Sequence, residues 1–119
     1  GDVGRLDNEG YLYVDGRLDE MFISGGENIF PQEVEQVYQQ YPGIKQVAVV
    51  GQNDPKWGAV PVAFIVTDSE PDIEDLIHFG YQHLAHFKVP RRYIRVAQLP
   101  TNASGKIKHY LLRQRVNKK

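Results

Sequence analysis

Cysteine is absent from this chain of 119 residues, which excludes disulfides, thiolate metal sites and cysteine nucleophiles. Long apolar runs are absent too. None approaches the ~20 residues that a helix needs to cross a bilayer, and no basic segment leads into a signal-like apolar stretch. We therefore expect a cytoplasmic protein that does not insert into a membrane.

An excess of charge of either sign is also missing. The chain has 14 Lys and Arg against 15 Asp and Glu, which gives a formal net charge of −1. A charge this small gives no reason to expect binding to nucleic acid or to a membrane surface. The hydrophobic fraction of 41% is enough for one modest core, and the length leaves no room for a second full domain.

The first twenty residues suggest the edge of a larger protein. The chain begins at Gly1 inside patterned sequence and without an initiator methionine, so we expect it to be cut from something longer. Apolar residues within 4–14 flank the turn-forming sequence Asp-Asn-Glu-Gly at 7–10, which predicts a β-hairpin. Residues 15–20 then interrupt the apolar pattern with charge and a glycine, as linkers between packed units do.

Strand and helix patterns are interleaved in the rest of the chain. β-rich segments occur at residues 21–23, 44–50, 60–66 and 93–96. Helical signals run from Pro31 to Tyr41, from the capping residue Asp72 towards Pro90, and over 107–116. Polar residues 51–58 predict a loop too long for a tight hairpin. This order predicts an α+β fold, in which an N-terminal hairpin and hinge precede a small domain with a short sheet flanked by helices.

Three motif groups carry a resemblance to a known family. They are Gly1-Asp2 with Asp-Gly-Arg-Leu-Asp at 15–19, Ile-Ser-Gly-Gly-Glu-Asn-Ile-Phe-Pro-Gln-Glu-Val-Glu at 23–35, and Leu-Pro-Thr-Asn-Ala-Ser-Gly-Lys-Ile at 99–107. In order and spacing they resemble the late motifs of acyl-CoA ligases of the adenylate-forming superfamily, and the match covers nearly the whole chain. Residues 56–64 and 87–90 look like those of o-succinylbenzoate-CoA ligases and their medium-chain and aryl relatives.

The resemblance implies a two-step reaction by an intact enzyme. A small carboxylic acid attacks the α-phosphate of ATP, supplied with Mg2+, to give an acyl-adenylate and pyrophosphate, and the CoA thiol then displaces AMP. Residues 1–18 would end a large N-terminal domain, and 19–119 would form a mobile C-terminal domain that rotates between the steps. The main partner is then the missing N-terminal domain, and this chain alone should be inactive and bind no substrate tightly.

Lys106 matches the catalytic lysine of the family. An ammonium group on a long stem can reach the negative charge that gathers on the carboxylate and α-phosphate oxygens during adenylation. Without the motif, Lys106 beside Lys108 would be interpreted as a solvated surface lysine. The pair Gly105-Lys106 does not belong to a P-loop, because Asn102 and Ile107 occupy other key positions of that pattern.

Three residues near the start of the chain match positions around the nucleotide and the hinge. By resemblance, Asp2 holds the ribose hydroxyls, Arg17 lies near the same ribose and phosphate, and Asp19 is the hinge about which the small domain turns. The residues alone favour plainer alternatives. Asp2 would be a turn residue at the end of a strand, and Arg17 would form a surface ion pair with Asp15 or Asp19.

Two further segments match positions that contact CoA. By resemblance, the tunnel for the pantetheine arm is lined by Ser24, Gly25, Gly26 and Glu27. Glycines let backbone approach a thin ligand closely. Phe87, Lys88 and Arg91 match a segment that meets the CoA nucleotide, where an aromatic face beside cations suits adenine and a 3′-phosphate. A solvated basic turn with Phe87 in the core is the alternative, and both interpretations stay open.

The four histidines do not make a metal site by their pattern. His83 and His86 are spaced i, i+3, with His78 earlier on the same helix, but no carboxylate or cysteine completes a ligand set. We therefore assign no metal ligands and expect surface histidines, including His109 beside Lys106.

Two other functions stay open. An adenylation domain that loads a carrier protein would use similar motifs with a different pantetheine acceptor. A stand-alone module that holds a nucleotide or a peptide through the glycine loop would need no second domain. The length of the open reading frame upstream of Gly1 distinguishes such a module from a ligase.

Overall fold

The computed structural model describes residues 20–117, and every structural statement below concerns that part of the chain. Its strands are β1 (Phe22–Ser24), β2 (Glu27–Ile29), β3 (Ile44–Asp54), β4 (Gly58–Thr67) and β5 (Arg92–Arg95). Its helices are α1 (Pro31–Gln39), α2 (Ile73–His83) and α3 (His109–Asn117), with a short 3-10 turn at His86–Lys88. The α+β prediction is confirmed. The predicted hairpin at 4–14 and residues 15–19 of the linker lie outside the described residues.

The main sheet has the strand order β3-β4-β5. β3 and β4 are antiparallel, with Val49 opposite Ala63, whereas β4 and β5 are parallel, with Phe64 opposite Ile94. β1 and β2 form a separate antiparallel pair. β3 is therefore an edge of the described sheet, and its outer backbone groups need partners other than a strand.

Pro61 lies in the central strand although proline has no N–H to donate. The Pro61 carbonyl accepts a hydrogen bond from the Arg91 N–H at 2.8 Å, so this side of the residue faces the start of β5. The paired register between the two strands begins only at Val62 and Arg92. The N–H group that Pro61 lacks would therefore lie just before the first paired residues of β4 and β5. A strand tolerates proline at such a position, because no hydrogen bond between paired residues is lost.

Alternation along the strands gives the sheet two apolar faces. On one face, Val49 and Ala63 pack with Val34 of α1 and Leu76 of α2. On the other face, the sheet residues pack with Leu112 of α3. Each fully buried aliphatic side chain contributes about 2 kcal/mol. The domain is a three-layer structure, in which α1 and α2 cover one side of the sheet and α3 covers the other.

The connection between β3 and β4 is shorter than the sequence predicted. β3 continues through the polar residues 52–54, β4 begins already at Gly58, and a turn at 55–57 joins them. The Asp54 Oδ2 atom accepts hydrogen bonds from the Lys56 N–H (3.0 Å) and the Trp57 N–H (2.8 Å), and Gly58 has a φ of +85°. The prediction of a long loop was wrong, because strand pairing here depends on an Asx-type turn and not on apolar residues.

The predicted helices agree better with the structure than this predicted loop does. α1 begins at Pro31 and ends before Pro42, and the Asp72 side chain caps α2 by accepting a hydrogen bond from the Asp75 N–H at 3.2 Å. α3 begins at His109, two residues later than predicted, because Ile107 pairs with Thr101 in a short bridge. No helix within residues 20–117 is long and apolar enough to cross a membrane.

Candidate functional site

The glycine segment is a tight hairpin turn. Ser24 at the end of β1 pairs with Glu27 at the start of β2, so only Gly25 and Gly26 connect the strands. Their φ angles are +58° and +86°, which is the left-handed conformation that a two-residue turn of this type needs at both positions. The turn between β1 and β2 is therefore only two residues long. Both glycines are exposed, whereas the Ser24 side chain is buried.

Gly25 lies directly against Trp57, in the turn between β3 and β4. The Gly25 N–H donates to the Trp57 carbonyl at 2.9 Å. A Cβ atom at position 25 would stand 2.8 Å from the Trp57 ring, closer than two carbon atoms can pack. Position 25 thus requires glycine both for its backbone angle and for its contact, and the hairpin is held at a fixed place on the ring.

Two cationic side chains lie near the exposed Trp57 ring. The Lys56 Nζ atom lies 5.0 Å and the Arg91 Cζ atom 5.8 Å from the ring centroid, both within cation–π range. The hydrogen bond from the Arg91 N–H to the Pro61 carbonyl fixes Arg91 at the start of β5. The structure therefore brings two of the predicted CoA residues, Gly25 and Arg91, onto one indole ring. We call Gly25, Gly26, Lys56, Trp57 and Arg91 the Trp57 surface.

Phe87 and Lys88 are engaged elsewhere. Phe87 is half-buried and packs against the core on the α1 and α2 side of the sheet. The Lys88 ammonium group forms an ion pair with Glu33 of α1, with distances of 2.8 and 3.0 Å to its two carboxylate oxygens. Of the three residues predicted to meet the CoA nucleotide, Arg91 is the one that reaches the Trp57 surface, and Phe87 follows the alternative of a core residue.

Lys106 lies in an exposed loop whose shape is set by Asn102. The Asn102 Oδ1 atom accepts hydrogen bonds from the Ser104 N–H (2.9 Å), the Ser104 hydroxyl (2.8 Å) and the Lys106 N–H (3.0 Å). Gly105 has a φ of +89° at the turn. Within residues 20–117 the Lys106 ammonium group has no hydrogen bond or ion pair. A free cation on an ordered loop can meet an anion from outside this domain.

The Trp57 surface and the Lys106 loop are attached to opposite faces of the sheet. Phe22 and Ile29, which flank the glycine hairpin, pack on the α1 and α2 side. Ile107, which follows Lys106, packs on the α3 side. The domain therefore carries two separate polar surfaces, one with a backbone turn beside an aromatic ring and the other with a single lysine.

Residues 33–106, more than half of the chain, match the family model of the AMP-binding enzyme C-terminal domain. The chain belongs to this family. It is 48% identical over 118 residues to a 2-succinylbenzoate–CoA ligase of Listeria monocytogenes, covering 99% of this chain and 25% of that protein. A 2-succinylbenzoate–CoA ligase of Bacillus cereus is 47% identical over 116 residues, covering 98% and 24% respectively. The chain thus spans about a quarter of the length of these curated relatives.

Solved structures show the same AMP-binding C-terminal domain fold. The o-succinylbenzoate CoA synthetase from Bacillus subtilis, in complex with its acyl-adenylate intermediate, matches with a TM-score of 0.80 and 41% identity, over 91% of this chain and 22% of that one. A Mycobacterium tuberculosis fatty acyl CoA synthetase matches with a TM-score of 0.80 and 41% identity, over 92% of this chain and 22% of that one.

One histidine of this AMP-binding C-terminal domain departs from expectation. His78, His83 and His86 are exposed, as predicted. His109 is buried, so its prediction as a surface residue was wrong. The physical reason is an ion pair with Glu35 of α1, a residue far away in sequence, at 2.6 Å.

Three predicted site residues, Asp2, Arg17 and Asp19, lie outside the described residues, and their roles stay predictions. Residues 20–117 hold no group of three or more His, Asp or Glu side chains placed to bind a metal ion. Trp57 and Lys56 belong to the Trp57 surface; they carried part of the family resemblance but were not predicted as site residues. The available signal was the only tryptophan of the chain, placed in a polar segment.

Proposed function

We propose that this chain is the C-terminal part of an ATP-dependent acyl-CoA ligase, of the type that activates o-succinylbenzoate. The names of the curated relatives support the reaction and the acid. In the proposed division, residues 1–18 end a large N-terminal domain with Asp2 and Arg17 at the nucleotide. Asp19 is the hinge, and 19–119 form the rotating domain. ATP with Mg2+, CoA and the acid are substrates of the intact enzyme, which we place in the cytoplasm.

In this proposal Lys106 is the residue that promotes the first half-reaction, the formation of the acyl-adenylate. Negative charge gathers on the carboxylate and α-phosphate oxygens as the acyl-adenylate forms, and a positioned ammonium group stabilises it. The supporting observation is an exposed lysine whose ammonium group has no partner among residues 20–117, on a loop that five hydrogen bonds within residues 102–106 hold in shape.

The Trp57 surface carries the second half-reaction. The glycine hairpin presents backbone without side chains to the pantetheine arm, while Trp57 offers a π face to adenine and Arg91 offers a cation to phosphate. Lys88 is paired with Glu33 and is not assigned a role with CoA. The observation that carries the function is the attachment of these two surfaces to opposite faces of one sheet, since a rotation can then present each in turn.

The test separates the half-reactions in the intact ligase. Lys106→Ala should lower pyrophosphate release from ATP and acid by roughly 10²–10³-fold. CoA transfer from supplied acyl-adenylate should change little. Lys45→Ala is the matched control, because Lys45 is a solvated lysine paired with Asp68 at 3.3 Å. Normal pyrophosphate release by Lys106→Ala would refute the assignment of Lys106.

Free CoA is proposed as the acceptor in preference to a carrier protein. The relatives named above are CoA ligases and a CoA synthetase. Titration of CoA against a pantetheinylated carrier protein, with the intact ligase and acyl-adenylate, should give thioester on CoA. Preferential loading of the carrier would overturn this assignment.

A further inference from the structure

His109 is held by two hydrogen-bond acceptors. Its Nε2 atom lies 2.6 Å from the Glu35 Oε2 atom, and its Nδ1 atom lies 3.2 Å from the Ile107 carbonyl oxygen. A carbonyl can only accept, and a carboxylate can only accept. A neutral imidazole has a single N–H, so it can donate to one of these partners but not to both. The protonated imidazolium donates to both and is the form that fits the geometry.

Glu35 connects three elements at the edge of the sheet. Its Oε2 atom accepts the Val49 N–H of β3 at 2.9 Å as well as the His109 Nε2 group. The Glu35 and His109 side chains are each 10% exposed. The edge strand, α1 on one face and α3 on the other are therefore joined through one buried carboxylate.

The same end of α3 is tied to the segment beside the predicted hinge. The Arg113 Nη1 atom, one turn along α3 from His109, lies 2.8 Å from the Glu20 Oε1 atom. Glu20 directly follows Asp19 in the chain. The charged groups that act on His109 are Glu35 from α1 and Glu20 from the segment before β1. Arg113 of α3 is paired with Glu20, and β3 contributes the backbone N–H of Val49 to Glu35.

The position of His109 in the chain links this cluster to Lys106. Only two residues separate them, and the intervening Ile107 accepts the His109 hydrogen bond and pairs with Thr101 at the base of the Lys106 loop. We propose that His109, as an imidazolium held by Glu35, is a positioning residue that fixes the base of the Lys106 loop and thereby supports acyl-adenylate formation. This inference rests on the proposed role of Lys106.

The charge of His109 makes this support sensitive to pH. Burial alone lowers the pKa of His109, but the hydrogen bond to Glu35 and the charges of Glu35 and Glu20 outweigh burial, so its pKa is raised. A raised pKa in the folded protein means that the ion pair contributes its full stability below the ordinary histidine value. That contribution is lost as the pH rises through the raised, folded-state pKa.

The experiment uses the intact ligase and measures the two half-reactions separately. His109→Gln, which cannot carry charge, should lower pyrophosphate release roughly tenfold because the lysine is misplaced. CoA transfer from supplied acyl-adenylate should fall less than about twofold, since that step uses the other face of the sheet. His109→Arg keeps the charge and the donors and should restore most of the loss. His78→Gln, at an exposed histidine, is the matched control.

The pH profile gives a second test that needs only folded, active protein. The ratio of wild-type to His109→Arg pyrophosphate release should fall as the pH rises through the pKa of His109, because arginine stays charged. A flat ratio, equal losses in both half-reactions or no loss in His109→Gln would overturn the positioning role. Failure of the proposed function is a different result, since Lys106→Ala would then still release pyrophosphate normally.

Discussion

The Trp57 surface and the Lys106 loop are both exposed turns, but they are held by different means. The glycine hairpin is fixed by backbone angles and by close packing, with the Gly25 N–H bonded to Trp57 and no space for a side chain between them. The Lys106 loop is shaped mainly by hydrogen bonds to one polar side chain, Asn102, and its lysine has no partner among residues 20–117. The turn that we propose meets the pantetheine arm is thus held by backbone angles and packing, while the loop that we propose meets developing charge presents one exposed lysine.

Packing on the Trp57 surface gives the largest expected effect on stability. Gly25→Ala combines a positive φ with a clash against the indole ring, so we expect a loss of roughly 2–3 kcal/mol of unfolding free energy. Chemical denaturation followed by the fluorescence of Trp57 measures this loss. Gly26→Ala is the control, because it has a φ of +86° but no atom within 4 Å of the added Cβ, and should cost about 1 kcal/mol. Equal losses would show that the ring contact contributes nothing.

The second-largest effect is expected from removing the hydrogen bonds that hold the Lys106 loop. Asn102→Ala removes the acceptor of three hydrogen bonds, so pyrophosphate release by the intact ligase should fall about tenfold while CoA transfer is retained. Asn102→Asp keeps an acceptor oxygen at the same place and should retain most of the activity. If Asn102→Asp lost as much as Asn102→Ala, the three hydrogen bonds would not be what supports the loop.

The smallest effect is expected at Arg91. Loss of an exposed cation near the Trp57 ring should raise the KM for CoA about threefold and leave pyrophosphate release unchanged. Steady-state kinetics with varied CoA measure the change. Arg92→Ala removes a neighbouring exposed arginine and should leave the KM for CoA as it is. An equal rise for both variants would indicate a general charge effect and not a site at Arg91.

Local signals in the sequence predicted most of the fold. Pro31 begins α1 and Asp72 caps α2 because each acts on its own helix through neighbouring backbone groups. The strands around 51–58 were missed because polar residues there pair through a turn and give no apolar alternation.

The site could be predicted only in part. Gly25 and Lys106 were selected because their motifs resemble those of the family, and their roles stay predictions. The contact between Trp57 and Arg91, and the burial of His109 by Glu35, depend on residues that are distant in sequence, and a single chain carries no local signal for such pairs.

The most direct test compares Lys106→Ala and Gly25→Ala in the same intact ligase, with pyrophosphate release and CoA transfer from supplied acyl-adenylate measured for each. Two surfaces with separate roles predict a crossover. Lys106→Ala loses the first activity and keeps the second, whereas Gly25→Ala keeps the first and loses the second. Loss of the same half-reaction by both variants would contradict the division of work between the two faces of the domain.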